Sequence, residues 1–138
     1  MRKVREAEKV KEVREENLRF GHKRLIVWNN VEEINEAIYN RLLSMIPKTQ
    51  FKLRDQIDRA TSSIGANLVE GYYSGSTKEF IKFLNYSRRS LAELDFWIDH
   101  CKIKGYITTS LCSSIKDLVI RTCYLTDRLI ISLKRKIN

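Results

Sequence analysis

Apolar residues recur at steps of three and four through most of this chain, and the longest such series marks its centre. Between 53 and 72 (LRDQIDRATSSIGANLVEGY) they fall at Leu53, Ile57, Ala60, Ile64 and Gly71, one face of a helix. Asn67 is the sixth member of that series, with Glu70 at i+3. A polar pair on a buried seam must be hydrogen-bonded or it costs stability, so Asn67, Glu70 and Gly71 read as a structural polar motif. The alternatives for Asn67 and Glu70 are a functional site and, more simply, a device that sets helix register.

Three further helices surround this one. The first spans about 25–46, with Val31, Ile34, Ile38, Leu42 and Met45 inward and Trp28 as a packing anchor; Pro47 stops it. Thr49 is a candidate N-cap for the second helix, and Gly71 a candidate left-handed C-cap. The third, about 78–104, follows a Ser76-Thr77 cap and carries Phe80, Leu84, Ser87, Leu91, Leu94, Ile98 and Cys101, flanked by Phe83, Ser90 and Trp97. Gly105 ends it. The fourth, about 110–136, opens at Thr108 or Thr109. Its rows are Leu111, Ile115, Leu118, Thr122, Leu125, Leu129, Leu133 and, beside them, Cys112, Val119, Thr126, Ile130 and Ile137. Long helices with short links predict an all-α fold, an antiparallel up-down-up-down four-helix bundle. Residues 1–24 differ: Val4, Ala7, Val10, Val13 and Leu18 make only a thin stripe among charges. They read as a charged, helical N-terminal arm outside a bundle of 25–138.

Composition narrows the class. One proline and five glycines in 138 residues leave few turns, in keeping with a single helical domain. No run is apolar enough for a membrane span, no signal peptide is visible, and the cysteines, three in number, sit within helical patterns. The expected location is cytoplasmic. The formal charge is +9, carried as +4 on the arm, −2 on the first helix, +1 and +2 on the next two segments and +4 on the last. Arg121, Arg128 and Arg135 recur every seven residues, with Lys134 and Lys136 beside them and Arg88 and Arg89 opposite the core face of the third helix. Such a stripe displaces counterions from a phosphate backbone, which makes these seven residues the candidate nucleic-acid contacts. Tyr72, Tyr73 and Tyr106 are the candidate stacking platforms. A solvated face is the plainer reading of any one stripe.

Catalytic chemistry finds little support. Asp95 and Asp99 share a face, but His100 points about 100° away from Asp99, so with Cys101 they make a poor metal set. Cys112 and Cys123 are spaced to share a face and read as small core hydrophobes. His22 stands alone in the arm. No Cys-x-x-Cys pair, phosphate loop or nucleophile elbow is present. No catalytic residue, metal or cofactor is expected, and the chain reads as a non-enzyme.

Several segments together resemble a known family. They are Trp28; Gln56-Ile57-Asp58-Arg59-Ala60; Ser63 through Tyr72 (SIGANLVEGY); Lys78 through Leu84 (KEFIKFL); Ser90-Leu91-Ala92-Glu93-Leu94; and Gly105-Tyr106-Ile107. The set is similar to the small bacterial four-helix-bundle proteins of 23S rRNA intervening sequences. That family includes the accessory variability determinant proteins of diversity-generating retroelements. The resemblance covers about 25–135. It implies a homo-oligomeric bundle, a pentamer, with a basic surface. In the retroelement branch it implies binding to RNA or an RNA–DNA hybrid and to a reverse transcriptase. No motif separates the branches. The alternative is an intervening-sequence protein with a structural role, binding a protein partner through the arm and using its charge for solubility.

Overall fold

A computed structural model describes residues 4–5 and 20–137. The arm expected over 1–24 therefore lies outside the described residues except at those positions. Four long helices and no strand occur among the described residues. Helix α1 comprises Ile26–Ala37, a π turn at Ile38–Leu42 and a last α turn at Leu43–Met45; α2 is Phe51–Tyr72, α3 Thr77–Ile103 and α4 Thr109–Ile137. Helix α1 packs on α2 and α4, and α3 also packs on α2 and α4, so α2 and α4 occupy diagonal corners of the expected four-helix bundle.

The core follows the predicted rows closely on α3, where Leu84, Ser87, Leu91, Leu94, Ile98 and Cys101 are all buried. On α4 only the last residue of the two rows, Ile137, is exposed. Two rows on earlier helices shift. Met45 was expected inward and is exposed, while Ile46 is buried. The π turn inserts one residue into the helical count, so the inward series runs Ile34, Ile38, Leu42, Ile46. On α2 the expected Ile57, Ala60, Ile64 and Gly71 are buried, and Thr61, Gly65 and Leu68 beside them widen the buried face. Leu68 takes the core position that the pattern assigned to Asn67. Asn67 sits half-buried at the seam's edge and donates from Nδ2 to the Ser63 carbonyl at 2.8 Å, so a local bond satisfies it.

Gly71 is not a C-cap. The helix continues through Tyr72, and a Cβ at position 71 would stand 2.8 Å from Phe83 Cβ and 3.0 Å from Phe80 Cδ2. Glycine is needed there for close approach of α2 to α3. The left-handed glycines are Gly75 in the α2–α3 turn and Gly105 after α3. At Gly105 the bonds Tyr106 N to Cys101 O and Gly105 N to Lys102 O, both 3.0 Å, make a Schellman termination. Ser76 caps α3 by accepting from Glu79 N, and Thr108 Oγ1 caps α4 by accepting from Leu111 N. The expected Thr49 cap is absent: the residue before α2 is Gln50, without a side-chain cap bond. Arg54 instead donates back to the Leu43 and Ile46 carbonyls and closes the end of α1. Buried polar groups are paired as burial demands, Ser87 Oγ donating to the Ile64 carbonyl at 2.8 Å.

Candidate nucleic-acid interface

The stripe of α4 is exposed along its length, since Arg121, Arg128 and Arg135 all project from the surface together with Lys134 and Lys136. Their rows are set by the core: Leu118, Thr122, Thr126, Ile130 and Leu133 face inward, which turns the seven-residue series outward beside α1. The surroundings of the three arginines differ. Arg121 lines a cleft with Glu33, Glu36 and Arg41 of α1, so two carboxylates offset its field. Arg128 lines the next cleft with Arg24 and the apolar Leu25, Ile26, Val27, Leu125 and Leu129. Arg135 lies two turns further, in the last turn of α4 with Lys134 and Lys136. Cations in that turn also complement the negative end of the helix dipole. The positive surface is therefore concentrated at the end of the bundle where α4 stops and α1 begins. Arg24, at the end of the arm expected over 1–24, belongs to it.

Arg88 does not stand free opposite the core. It is half-buried and bonds Asp127 of α4 from Nε at 3.0 Å, and that bond raises its already high pKa. Arg89 is exposed, its guanidinium 5.6 Å from the Tyr86 ring centre. The structure thus brings Arg128, Lys134, Arg135 and Lys136 to one end, leaves Arg121 among acids, and separates Arg88 and Arg89 from all of them.

At the same end, residues 21–24 form a 3₁₀ turn docked on aromatic side chains. His22 is buried, not solitary: Nδ1 is 3.0 Å from Tyr73 Oη and the ring stands edge-on to Trp28 at 4.6 Å. Burial lowers its pKa, with Glu32 acting in the opposite direction. Tyr72 packs on Phe80 and Tyr73 within this cluster, and Tyr106 is half-buried, which leaves Tyr73 as the exposed member of the three tyrosines proposed for stacking. Glu70 is exposed on the outer face of α2.

The other candidate chemistry resolves into structure. Lys116 Nζ contacts Asp99 at 2.7 Å and Asp95 at 3.3 Å, so the carboxylate pair holds α3 to α4. His100 instead packs against Phe96 and Trp97, and no group of metal-ligating side chains forms among the described residues. Cys101 and Cys112 are buried, and burial pushes the Cys101 thiol up to about 11, which keeps it protonated. No helix among the described residues is long and apolar enough to cross a membrane.

Residues 23–127 match the family of 23S rRNA-intervening sequence proteins. The chain belongs to that family. A crystal structure of a Bacteroides thetaiotaomicron protein of unknown function, from the S23 ribosomal protein family, shares the fold with a TM-score of 0.69. It is 24% identical and the alignment covers 76% of this chain and 98% of that one. No curated protein matches the chain.

Proposed function

We propose that this intervening-sequence protein is a non-enzymatic nucleic-acid-binding protein that acts as a homo-oligomer, pentameric as the family resemblance implies. RNA or an RNA–DNA hybrid is the ligand. Its role is that of an accessory scaffold for a reverse transcriptase of a diversity-generating retroelement. The observation that carries the reading is the shared cleft of Arg24 and Arg128, continued by Lys134, Arg135 and Lys136 at one end of the bundle. Guanidinium groups clustered at one end of the bundle suit backbone phosphates and carry no base readout. Several copies in one assembly would multiply a weak contact through effective concentration.

The test is the salt dependence of binding to RNA and to duplex DNA, for the wild type and for Arg121→Glu/Arg128→Glu/Arg135→Glu, with mass in solution measured alongside. Steep loss of wild-type affinity with salt, and loss of both affinity and slope in the variant at unchanged mass, is the expected result. No wild-type binding at low salt overturns the reading.

A second reading has its own support. Arg88 is held by Asp127, and Arg121 lines a cleft that also holds Glu33, Glu36 and Arg41, so part of the charge is offset within the chain. On that reading the protein has a structural or protein-interaction role, and deleting residues 1–20 abolishes capture of its protein partner while RNA behaviour is unchanged.

A further inference from the structure

The cleft that Arg24 and Arg128 share has an aliphatic floor. Leu25, Ile26 and Val27 at the start of α1 and Leu125 and Leu129 of α4 enclose a space of about 410 Å³, within the range of clefts that hold a small organic group. No carboxylate lines it among the described residues. Ile26 is 74% exposed, and the core does not call for it, because Val27 is the residue that α1 buries there. A single isoleucine in solvent is ordinary. Five aliphatic side chains gathered between two guanidinium groups are not explained by charge. A phosphate contact needs the cations and nothing apolar beneath them, so the floor asks for a ligand that carries an uncharged, weakly hydrated part beside its anion.

An aromatic ring adjoins the cleft. A Cβ placed on Gly21 would stand 3.1 Å from a terminal nitrogen of Arg24. The Arg24 stem therefore lines the cleft while its guanidinium lies back over Gly21. Phe20, the next residue back, is 46% exposed, and its carbonyl accepts from Lys23 N at 3.1 Å, which ties it to the turn. The surface thus runs from an exposed ring to a guanidinium, then to an aliphatic cleft with a second guanidinium on its α4 side. Lys134, Arg135 and Lys136 continue the cations in the last turn of α4.

Apolar surface alternating with cations matches the alternation of bases and phosphates along an unpaired strand. Bases are held between apolar side chains as well as aromatic ones. A duplex keeps its base faces inside the stack and offers phosphates, sugars and groove edges, so it would leave both the cleft and the Phe20 ring empty. A lone carboxylate or free phosphate engages Arg24 and Arg128 only. A polyanion also uses the cations of the last turn.

We propose that the cleft of Arg24 and Arg128 receives one unpaired base of single-stranded RNA, with the two guanidinium groups on the adjoining phosphates and Phe20 stacking on a neighbouring base. This rests on the nucleic-acid reading above and narrows its ligand to a single strand. Apolar contact with a base face is tolerant of sequence, so no base is preferred.

The experiment compares three labelled probes by fluorescence anisotropy across a salt series: an RNA strand, the same strand annealed to its complement, and an abasic strand of equal length. The protein is the wild type and Phe20→Ser/Ile26→Ser, which changes no charge and touches two exposed positions. Circular dichroism melting verifies the fold of the variant. The wild type should bind the strand about tenfold more tightly than the abasic one, and at least as tightly as the duplex despite the higher charge density of the duplex. The variant should lose that factor on the strand while the slope of log affinity against log salt stays the same, since apolar contacts release no counterions.

Equal wild-type binding of the strand and its abasic counterpart, each weakening steeply with salt, overturns the base site and leaves the phosphate-binding reading standing. That comparison needs no variant and holds even if the variant fails to fold. No binding of any RNA at low salt overturns both. A peptide of alternating glutamate and leucine that binds the wild type more tightly than the strand does, and the variant not at all, assigns the cleft to a protein partner and overturns the proposal as well.

Discussion

Arg121 and Arg128 are the same residue one heptad apart on one helix, yet they sit in opposite electrostatic company. Arg121 shares its cleft with Glu33, Glu36 and Arg41, two carboxylates to one further cation, whereas Arg128 shares its cleft with Arg24 and, among the described residues, no carboxylate. A carboxylate near a surface cation lowers the potential that a phosphate would meet, and a second cation raises it. A stripe that looks uniform in sequence is therefore graded in space, strongest where α4 ends. The lesson extends to Arg88 and Arg89, adjacent residues of which one is bound to Asp127 and the other is exposed.

The two ends of the stripe should respond differently to charge reversal. Reversing Arg128 and Arg135 together should remove about two phosphate contacts, lowering the slope of log affinity against log salt by about 2. Filter binding across a salt series measures it, and an unchanged slope sinks the graded stripe. Arg24→Ala should lower the slope by about 1, since its guanidinium belongs to the same cleft as Arg128. Arg121→Glu alone should change the slope by well under 1, because its field is already offset. The complementary change sharpens the contrast: Glu33→Gln/Glu36→Gln should tighten low-salt binding two- to three-fold, on the order of 0.5 kcal/mol, and Arg121→Glu should then matter in that background. Equal binding by wild type and the glutamine variant would show that Arg121 faces no ligand.

The smallest expected effect is on the turn that carries Arg24. Burial depresses the His22 pKa below its ordinary 6.5, so the folded state takes up this proton less readily than the unfolded one. His22 therefore contributes stability that is fully present above about pH 6.5 and is lost as pH falls below it toward the lower folded-state pKa. Because Trp28 stands against the imidazole, its fluorescence should report loosening of the turn between pH 7 and 5. His22→Phe should flatten that profile. Salt-dependent binding through Arg24 should weaken over the same pH range in the wild type, whereas binding through Arg135 should not.

Helix count, helix limits and the α3 and α4 core rows were legible from apolar spacing, because those helices keep a regular 3.6-residue period from cap to cap. The misread positions lie where the period is ambiguous or interrupted. Met45 and Ile46 exchange places because of the π turn at Ile38–Leu42, which no composition signal announces. Leu68 takes the inward place expected of Asn67 because two series of three- and four-residue steps run through α2; Ala60 and Thr61 are both buried, and only packing against α1 and α3 decides between 67 and 68. The candidate basic residues were legible as residue types. Their company was not: the Arg88–Asp127 bond spans 39 residues of sequence, and the Arg24–Arg128 cleft joins the two ends of the chain.

The sequence by itself determined that this protein is an all-α bundle with a basic last helix. Those properties follow from local periodicity, breaker content and residue type, each of which acts within a few turns. Tertiary structure decided which cations stand free, which carboxylates cancel them, that Gly71 serves close packing and that His22 is buried. Each of these depends on groups from different helices meeting at a few ångströms, where Coulomb and steric forces are strong and sequence distance has no meaning.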